Sequence, residues 1–236
     1  MNIPLKIFIG YDSNEPIAFH VLCHSILRRA TVPVSIIPLA LNTLTNRYTR
    51  ERGPTESTEF SLTRFLVPSL CDFKGYAIFM DSDQLMLADI ADVYLDTPHL
   101  PERAVYVCRH EYQPNASTKF LGQTQSAYPR KNWSSFMVFN NAHCHTLTED
   151  YVNSASGLDL HRFHWTYDQQ IGALPLDWNH LVGEYEPNPF ARNLHFTLGG
   201  PWFQATANCD HADLWWAEYA HMRHCAQGAE QLEAVS

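Results

Sequence analysis

The chain has no run of about 18 apolar residues, the length a helix needs to cross a bilayer, so no transmembrane segment is predicted. It also lacks a basic stripe. Sixteen Lys and Arg stand against 25 Asp and Glu, for a formal net charge of −9. Nucleic-acid partners usually require clustered phosphate-neutralising cations, so none is expected here. The opening Met1-Asn2-Ile3-Pro4-Leu5-Lys6 has neither the charged region nor the apolar core of a signal peptide. The six cysteines (23, 71, 108, 144, 209, 225) form no CxxC pair and read as reduced core thiols. Together these absences favour a cytoplasmic location. There is no P-loop, no GxGxxG and no nucleophile elbow. Repeats and low-complexity segments are absent too.

Hydrophobic residues make up 45% of the 236, enough for one large domain. The first half alternates strand and helix. Ile7-Phe8-Ile9 reads as a strand, followed by the turn Gly10-Tyr11-Asp12-Ser13-Asn14. Phe19, Leu22, Cys23, Ile26, Leu27 and Ala30 recur on one helical face. Val34–Leu39 is a second strand. A helix is predicted from about Ser57, with Leu62, Phe65, Leu66 and Leu70 on one face and a kink at Pro68. Residues 76–80 form an unbroken apolar strand, as in a parallel sheet covered on both faces. This order predicts an α/β fold with a mostly parallel sheet and right-handed crossovers.

The second half is less regular. Residues 104–108 and 136–139 are strand candidates. Thr146-Leu147-Thr148-Glu149 reads as a capping box opening a short helix. A last helix runs from Ala212 to about Cys225, with Leu214, Trp215, Ala217 and Tyr219 partly buried, before a tail that frays after about Gln227.

Asp81-Ser82-Asp83 closes the apolar strand Tyr76–Met80. Two carboxylates at i and i+2 make an oxygen-rich site for a hard divalent cation, and such a cation commonly carries a diphosphate. In parallel sheets ligands collect beyond the carboxyl ends of the strands, where Gly10-Tyr11-Asp12 and Asp81-Ser82-Asp83 would share one cleft.

Five segments occur in order. They are Glu59–Pro68, then Phe79–Asp83, Asp168-Gln169-Gln170, Leu174–Asn179, and Leu194-His195-Phe196-Thr197-Leu198-Gly199-Gly200-Pro201-Trp202. This series resembles the retaining GT-A glycosyltransferases related to glycogenin and the bacterial lipopolysaccharide galactosyltransferases, over roughly residues 5–203. The resemblance implies a single GT-A catalytic domain, Rossmann-like with a smaller mixed acceptor-side region. Residues 1–110 would form the nucleotide-binding half, 111–205 the sugar and acceptor half, and 206–236 a C-terminal helix.

The resemblance also implies roles. Asp81, Asp83 and His195 would hold Mn²⁺ or Mg²⁺, the imidazole tilting an oxygen site toward Mn²⁺. Tyr11 and Asp12 would border base and ribose, although Asp12 also suits a helix N-cap. Ser82 joins the donor-binding set. Gly199 and Gly200 would let backbone approach the phosphates. Arg64 would reach the donor sugar or the Asp81-Ser82-Asp83 carboxylates, or form a surface ion pair. Asp168 would bond sugar hydroxyls, and Gln169 would sit near the anomeric carbon as an amide dipole; an N-cap followed by a helix-surface residue is the plainer reading of that pair. Trp178-Asn179 reads equally as packing plus a turn or as an acceptor platform.

The chain departs from the family in two places. The family's Lys shortly before Pro-Trp is missing, Gly200 preceding Pro201 in a segment one residue shorter. Lys119, Arg130 and Lys131 are the candidate replacements, each also readable as a solvated charge. Trp133-Ser134-Ser135 replaces the family's Asn-x-Gly turn, with Ser134 and Ser135 available to the sugar. His143-Cys144-His145 and Cys209 with His211 have poor zinc spacing. His161 and His164 lie one helical turn apart and would line an acceptor cleft or the surface. The expected activity is hexose transfer from a nucleotide diphosphate sugar, most simply UDP-linked, to a glycan or other hydroxyl acceptor. The alternatives are a sugar-phosphate nucleotidyltransferase, against which the acidic residue 10–14 turn counts, and a non-catalytic nucleotide-sugar-binding protein.

Overall fold

The computed structural model describes residues 4–53, 56–111 and 129–233, with side chains described to residue 223. In chain order it forms β1 (Leu5–Gly10), α1 (Pro16–Arg29), β2 (Val34–Leu39), α2 (Val67–Leu70), β3 (Tyr76–Met80), β4 (Gln84–Met86) and β5 (Val105–Cys108). There follow β6 (Phe136–Asn140), α3 (Glu149–Ser154), α4 (Gly157–His161), β7 (Ile171–Leu174), β8 (His180–Leu181), β9 (Asn193–His195) and α5 (Ala212–Glu233). The central sheet has the order β2-β1-β3-β6-β5-β7. β1 is parallel to β2 and β3, and β5 to β7, while β6 runs antiparallel to both its neighbours. A smaller mixed sheet has the order β4-β9-β8.

Successive strand side chains point to opposite faces, and the two faces bury separate cores. Phe8, Ala77, Phe79, Met137 and Phe139 pack with Phe60, Phe65 and Leu66 on one side. Ile7, Ile9, Ile78, Met80, Phe136 and Val138 pack with Leu22 and Ile26 of α1 on the other. Burying each such side chain is worth about 1.5–3 kcal/mol. Two-sided burial explains why these strands read as apolar runs rather than alternations.

The predicted helix from Ser57 is instead a series of turns, a 3₁₀ turn at Thr63–Leu66 and the four residues of α2. Ser61 Oγ donates to the Thr58 carbonyl and accepts from its amide, bonds that compete with helix formation. Pro68 occupies the first turn of α2, where a missing N–H is no loss, so it kinks nothing. The buried face of α1 is rotated from the predicted one. Leu27 is 60% exposed and Ser25 fully buried. Ser25 Oγ donates to Leu22 O and accepts from Met86 N, joining α1 to β4. The α3 cap is Thr148, not Thr146: its hydroxyl accepts from Tyr151 N after Leu147 has turned into the core. Strand β7 had no sequence-level counterpart, because its Ile-Gly-Ala-Leu is too short for a period.

Helix α5 extends to Glu233, beyond the predicted end. Trp215 is fully buried, but Leu214 and Ala217 face outward. The second inward position is Glu218, 2% exposed. It accepts from His24 Nδ1 at 2.6 Å, Arg28 NH2 at 2.8 Å and Arg29 NH1 at 2.9 Å, all from α1. Burial pushes the Glu218 pKa up, but the bonds from Arg28, Arg29 and His24 outweigh it and hold the group at about 2. A folded-state pKa below the unfolded value gives stability that is present at neutral pH and lost as pH falls. Glu218→Gln is therefore expected to cost on the order of 3 kcal/mol near pH 7. Thermal melts should show the gap between variant and parent narrowing as pH drops from about 5 toward 3.

Candidate metal and donor site

The ends of five strands, β1, β3, β4, β6 and β9, meet at one place. β1 and β3 end there because they are parallel, and β6 begins there because it is reversed. Asp81 N donates to Ser135 O at 3.0 Å, fixing the Asp81-Ser82-Asp83 turn to the start of β6. The turn runs straight into β4, whose first residue, Gln84, pairs with His195 of β9. Phe196 N donates to Asp83 O at 2.9 Å. Backbone register alone thus brings His195 beside the carboxylates. Gln84 is fully buried: its Nε2 donates to Ser135 O and its Oε1 accepts from Asn193 Nδ2, both at 2.8 Å.

The ligating atoms of Asp81, Asp83 and His195 all lie within 4.8 Å of one another. His195 Nε2 is 3.3 Å from Asp83 Oδ1 and 4.0 Å from Asp81 Oδ2. Two carboxylates and one imidazole aimed at a common point suit a divalent cation of intermediate hardness, so the residues present fit such an ion. Arg64 is 5% exposed and lies over the rings of Phe60 and Phe79. Its NH1 meets Asp81 Oδ1 at 2.8 Å and Ser134 O at 2.9 Å. It is thus a buried partner of the carboxylates, not a surface charge.

Two cavities open from this cluster. One, of about 50 Å³, is lined by Glu15, Arg64, Asp83, Asn132, His195 and Gly199 among others. The second, of about 300 Å³, shares Arg64, Asp81 and Asn132 with the first and is also lined by Ser134, Ser135, Ser156 and His161. Glu15 is 4% exposed and accepts from Trp202 Nε1 at 3.2 Å. Burial, then the charges of Asp83 and Asp12, push its pKa up to about 9 against the opposing Trp202 bond. Burial first, with the neighbouring carboxylates adding to it, favours the protonated form of Glu15 at neutral pH.

Other sequence-derived candidates fall in different places. Gly199 has φ +110° and lines the small cavity, a backbone conformation that favours glycine. A Cβ on Gly200 would lie 2.0 Å from the Trp202 ring, so that glycine makes room for an indole. Ser134 and Ser135 line the larger cavity, with Ser134 Oγ 2.8 Å from His161 Nδ1. Ser82 is fully buried and lines neither cavity. Asp12 is no helix cap. Its carboxylate accepts from Asn14 N, Asn14 Nδ2 and Glu59 N, tying the β1–α1 loop to the segment after residue 56. Tyr11 stands edge-on to Phe19. Trp178 is core, stacked on Phe136, which settles it as packing. His164 pairs with Asp159 at the surface.

Asp168 and Gln169 are not brought to the cluster. Asp168, with 75% of its side chain exposed, pairs with Arg130 NH2 at 2.7 Å. Both residues line a separate cavity of about 450 Å³ with Arg103 and Arg109. A short 3₁₀ turn leading directly into β7 directs them there. Of the candidate cations, Arg130 is engaged by Asp168 and Arg162 O. Lys131 is buried but lines neither cavity at the cluster, and Lys119 lies outside the described residues. His145 stacks on Phe73, and Cys144 Sγ donates to core carbonyls. Sequence reasoning missed Glu15, Gln84 and Asn132. A glutamate immediately before a helix-opening proline, just past the end of β1, was the available signal for the first.

Solved structures share this architecture. The chain superposes on the WbbM bifunctional glycosyltransferase with a TM-score of 0.61 and 16% identity, covering 92% of this chain and 50% of that one. GlyE of Streptococcus pneumoniae TIGR4 gives 0.58 and 14%, covering 92% and 60%. Galactosyltransferase LgtC, solved with donor and acceptor sugar analogues, gives 0.56 and 10%, covering 92% and 96%. The chain therefore spans only half to three-fifths of the first two. The fold is that of the GT-A glycosyltransferases. No protein-family model matches the chain. It belongs to the family of Protein CDI of Arabidopsis thaliana, with which it is 44% identical over 222 residues, 90% of this chain and 85% of that protein.

A carboxyl whose folded pKa is raised loses stability relative to the unfolded chain as pH climbs from about 4.5 toward 9. Glu15→Gln keeps the acceptor for Trp202 and releases no proton. In chelator-treated protein, the variant should match the parent near pH 5 and exceed its stability by about 3 kcal/mol at pH 7. Equal melting temperatures across that range would refute the assignment.

Proposed function

We propose that the protein is a metal-dependent glycosyltransferase that moves a hexose from a UDP-sugar to an acceptor hydroxyl with retention of configuration. One observation carries this reading: the Asp81, Asp83 and His195 cluster at the carboxyl ends of β1 and β3 of a GT-A fold. Those three residues would hold Mn²⁺ or Mg²⁺. When bound, the cation neutralises charge on the departing diphosphate. Gly199 leaves the small cavity's wall open to the phosphates. Arg64, fixed by Asp81 and Ser134 O, stands between that cavity and the larger one, where Asn132, Ser134 and Ser135 would position the sugar. In the transfer, the bond from the anomeric carbon to the phosphate oxygen breaks. The acceptor oxygen bonds that carbon on the same face, and its proton passes to the leaving diphosphate. The protein contributes positioning and fixed electrostatics.

Asp168 and Gln169 enter this reading through the resemblance alone. Loss of turnover in Asp168→Asn would place that carboxylate at the sugar, and full turnover would remove it from the chemistry. Among the described residues no helix is long and apolar enough to cross a membrane.

Calorimetric titration with UDP should show binding with Mn²⁺ and little without it. His195→Ala and Asp83→Ala should lose at least the roughly 10–100-fold in metal affinity that removal of an outer partner costs a metal site. UDP binding indifferent to metal and to both substitutions would sink the reading. A parallel titration with GDP tests the nucleotide separately.

A further inference from the structure

His195 is held by more than its carboxylate neighbours. Its Nδ1 lies 2.9 Å from Asn179 Oδ1, and both residues are buried. Asn179 follows Trp178 in the 3₁₀ turn Leu176–Asn179, which enters β8, and β8 is parallel to β9. The side of the Asn179 amide facing away from His195 meets three groups. These are Ser135 Oγ at 2.8 Å, His110 Nε2 at 3.0 Å and Asn132 O at 3.3 Å.

The direction of these bonds follows from donor and acceptor chemistry. Asn132 O can only accept. Ser135 Oγ donates its hydrogen to Asn132 O at 2.7 Å, so it too accepts from Asn179. The amide nitrogen of Asn179 must therefore face this group, which turns Oδ1 toward His195. An acceptor at 2.9 Å requires the proton of His195 to sit on Nδ1. In the neutral ring, Nε2, the nitrogen 3.3 Å from Asp83, then presents its lone pair to the cluster. His110 extends the chain. Its Nε2 receives the amide proton, so the neutral ring carries hydrogen on Nδ1, 3.0 Å from the Tyr185 hydroxyl. Burial, with His195 and His180 nearby, holds His110 at about 3, so it stays neutral.

We propose that Asn179 is a positioning residue that locks His195 in the Nδ1–H tautomer, at the end of the oriented chain Tyr185–His110–Asn179–His195. The proposal rests on reading His195 as a metal ligand. A ligating imidazole needs a free lone pair in a fixed direction, and its other nitrogen is usually tied to an outer acceptor for this purpose. A carboxamide in that position adds no negative charge to a pocket that already holds Asp81 and Asp83.

The test combines nitrogen-15 spectra of the histidine rings with Mn²⁺ titration followed by electron paramagnetic resonance. In the parent, spectra recorded with Mg²⁺ and without metal at pH 9 should show His195 protonated on Nδ1. Asn179→Ala should lose that single tautomer and weaken Mn²⁺ binding by roughly 10–100-fold. Asn179→Asp keeps the acceptor and should keep the tautomer, but it loses the bonds to Ser135 and His110. Tyr185→Phe lies outside the cluster and guards against an Asn179 variant that fails to fold. It should leave the fold intact while disturbing the His110 tautomer and lowering Mn²⁺ affinity a few-fold. An Nε2–H or averaged His195 in the parent overturns the proposal. So does Asn179→Ala with unchanged spectra and unchanged affinity. A parent that binds no Mn²⁺ would defeat the metal reading instead, and the ring spectra would still decide the tautomer.

Discussion

The pairing of β4 with β9 is the contact on which the site depends. Neither strand exceeds three residues, and neither belongs to the main sheet. Yet β4 begins one residue after Asp83, and β9 ends on His195. A shift of one residue in their register would turn His195 to the opposite face of the small sheet. The register is held from behind. Leu85 and Leu194 are buried with Val21 of α1 and Trp215 of α5, and Gln84 bonds both Asn193 and the start of β6. The Glu218 cluster fastens α5 to α1 and so keeps that backing in place.

Charge explains much of what surrounds the cluster. Two carboxylates converging in a partly buried site repel one another, and a third carboxyl, Glu15, is pushed up in pKa by burial and then by those charges. Arg64 pairs with Asp81. Among the described residues, no Lys lines either cavity at the cluster. Packing constrains the Gly200-Pro201-Trp202 segment, because Trp202 fills the space beside Gly200 and bonds Glu15. If the pocket takes the anionic donor proposed above, its acidic lining would make a bound cation the main counter-charge.

Local sequence was a good guide wherever burial was two-sided. β3 stands at the predicted residues, because a continuous apolar run leaves no competing period. The Asp81, Ser82, Asp83 turn and His195 were readable because motif order survives insertions between strands. The residues around 57–70 were misjudged because Ser and Thr hydroxyls there satisfy the backbone locally and stop a helix that the apolar spacing would allow. Asp168 and Gln169 matched a motif, but their surroundings differ. A strand follows them at once, and their side chains turn toward Arg130 and the 450 Å³ cavity. Glu15, Gln84 and Asn132 carry no motif. Their significance comes from burial and from long-range partners, such as the 109 residues separating Gln84 from Asn193, that no local pattern encodes.

That separation bears on how the molecule comes together. Contacts between residues so distant in the chain form late, because loop closure is unfavourable until other contacts reward it. During synthesis from the N-terminus, β1, β2 and β3 are available to pair well before β9 leaves the ribosome. The two carboxylates therefore exist for a time without their imidazole, and an incomplete chain carries an acidic turn rather than a metal site. A cation that binds only the finished arrangement would stabilise it by mass action, acting on the last step of folding as well as on the ligand it helps to hold.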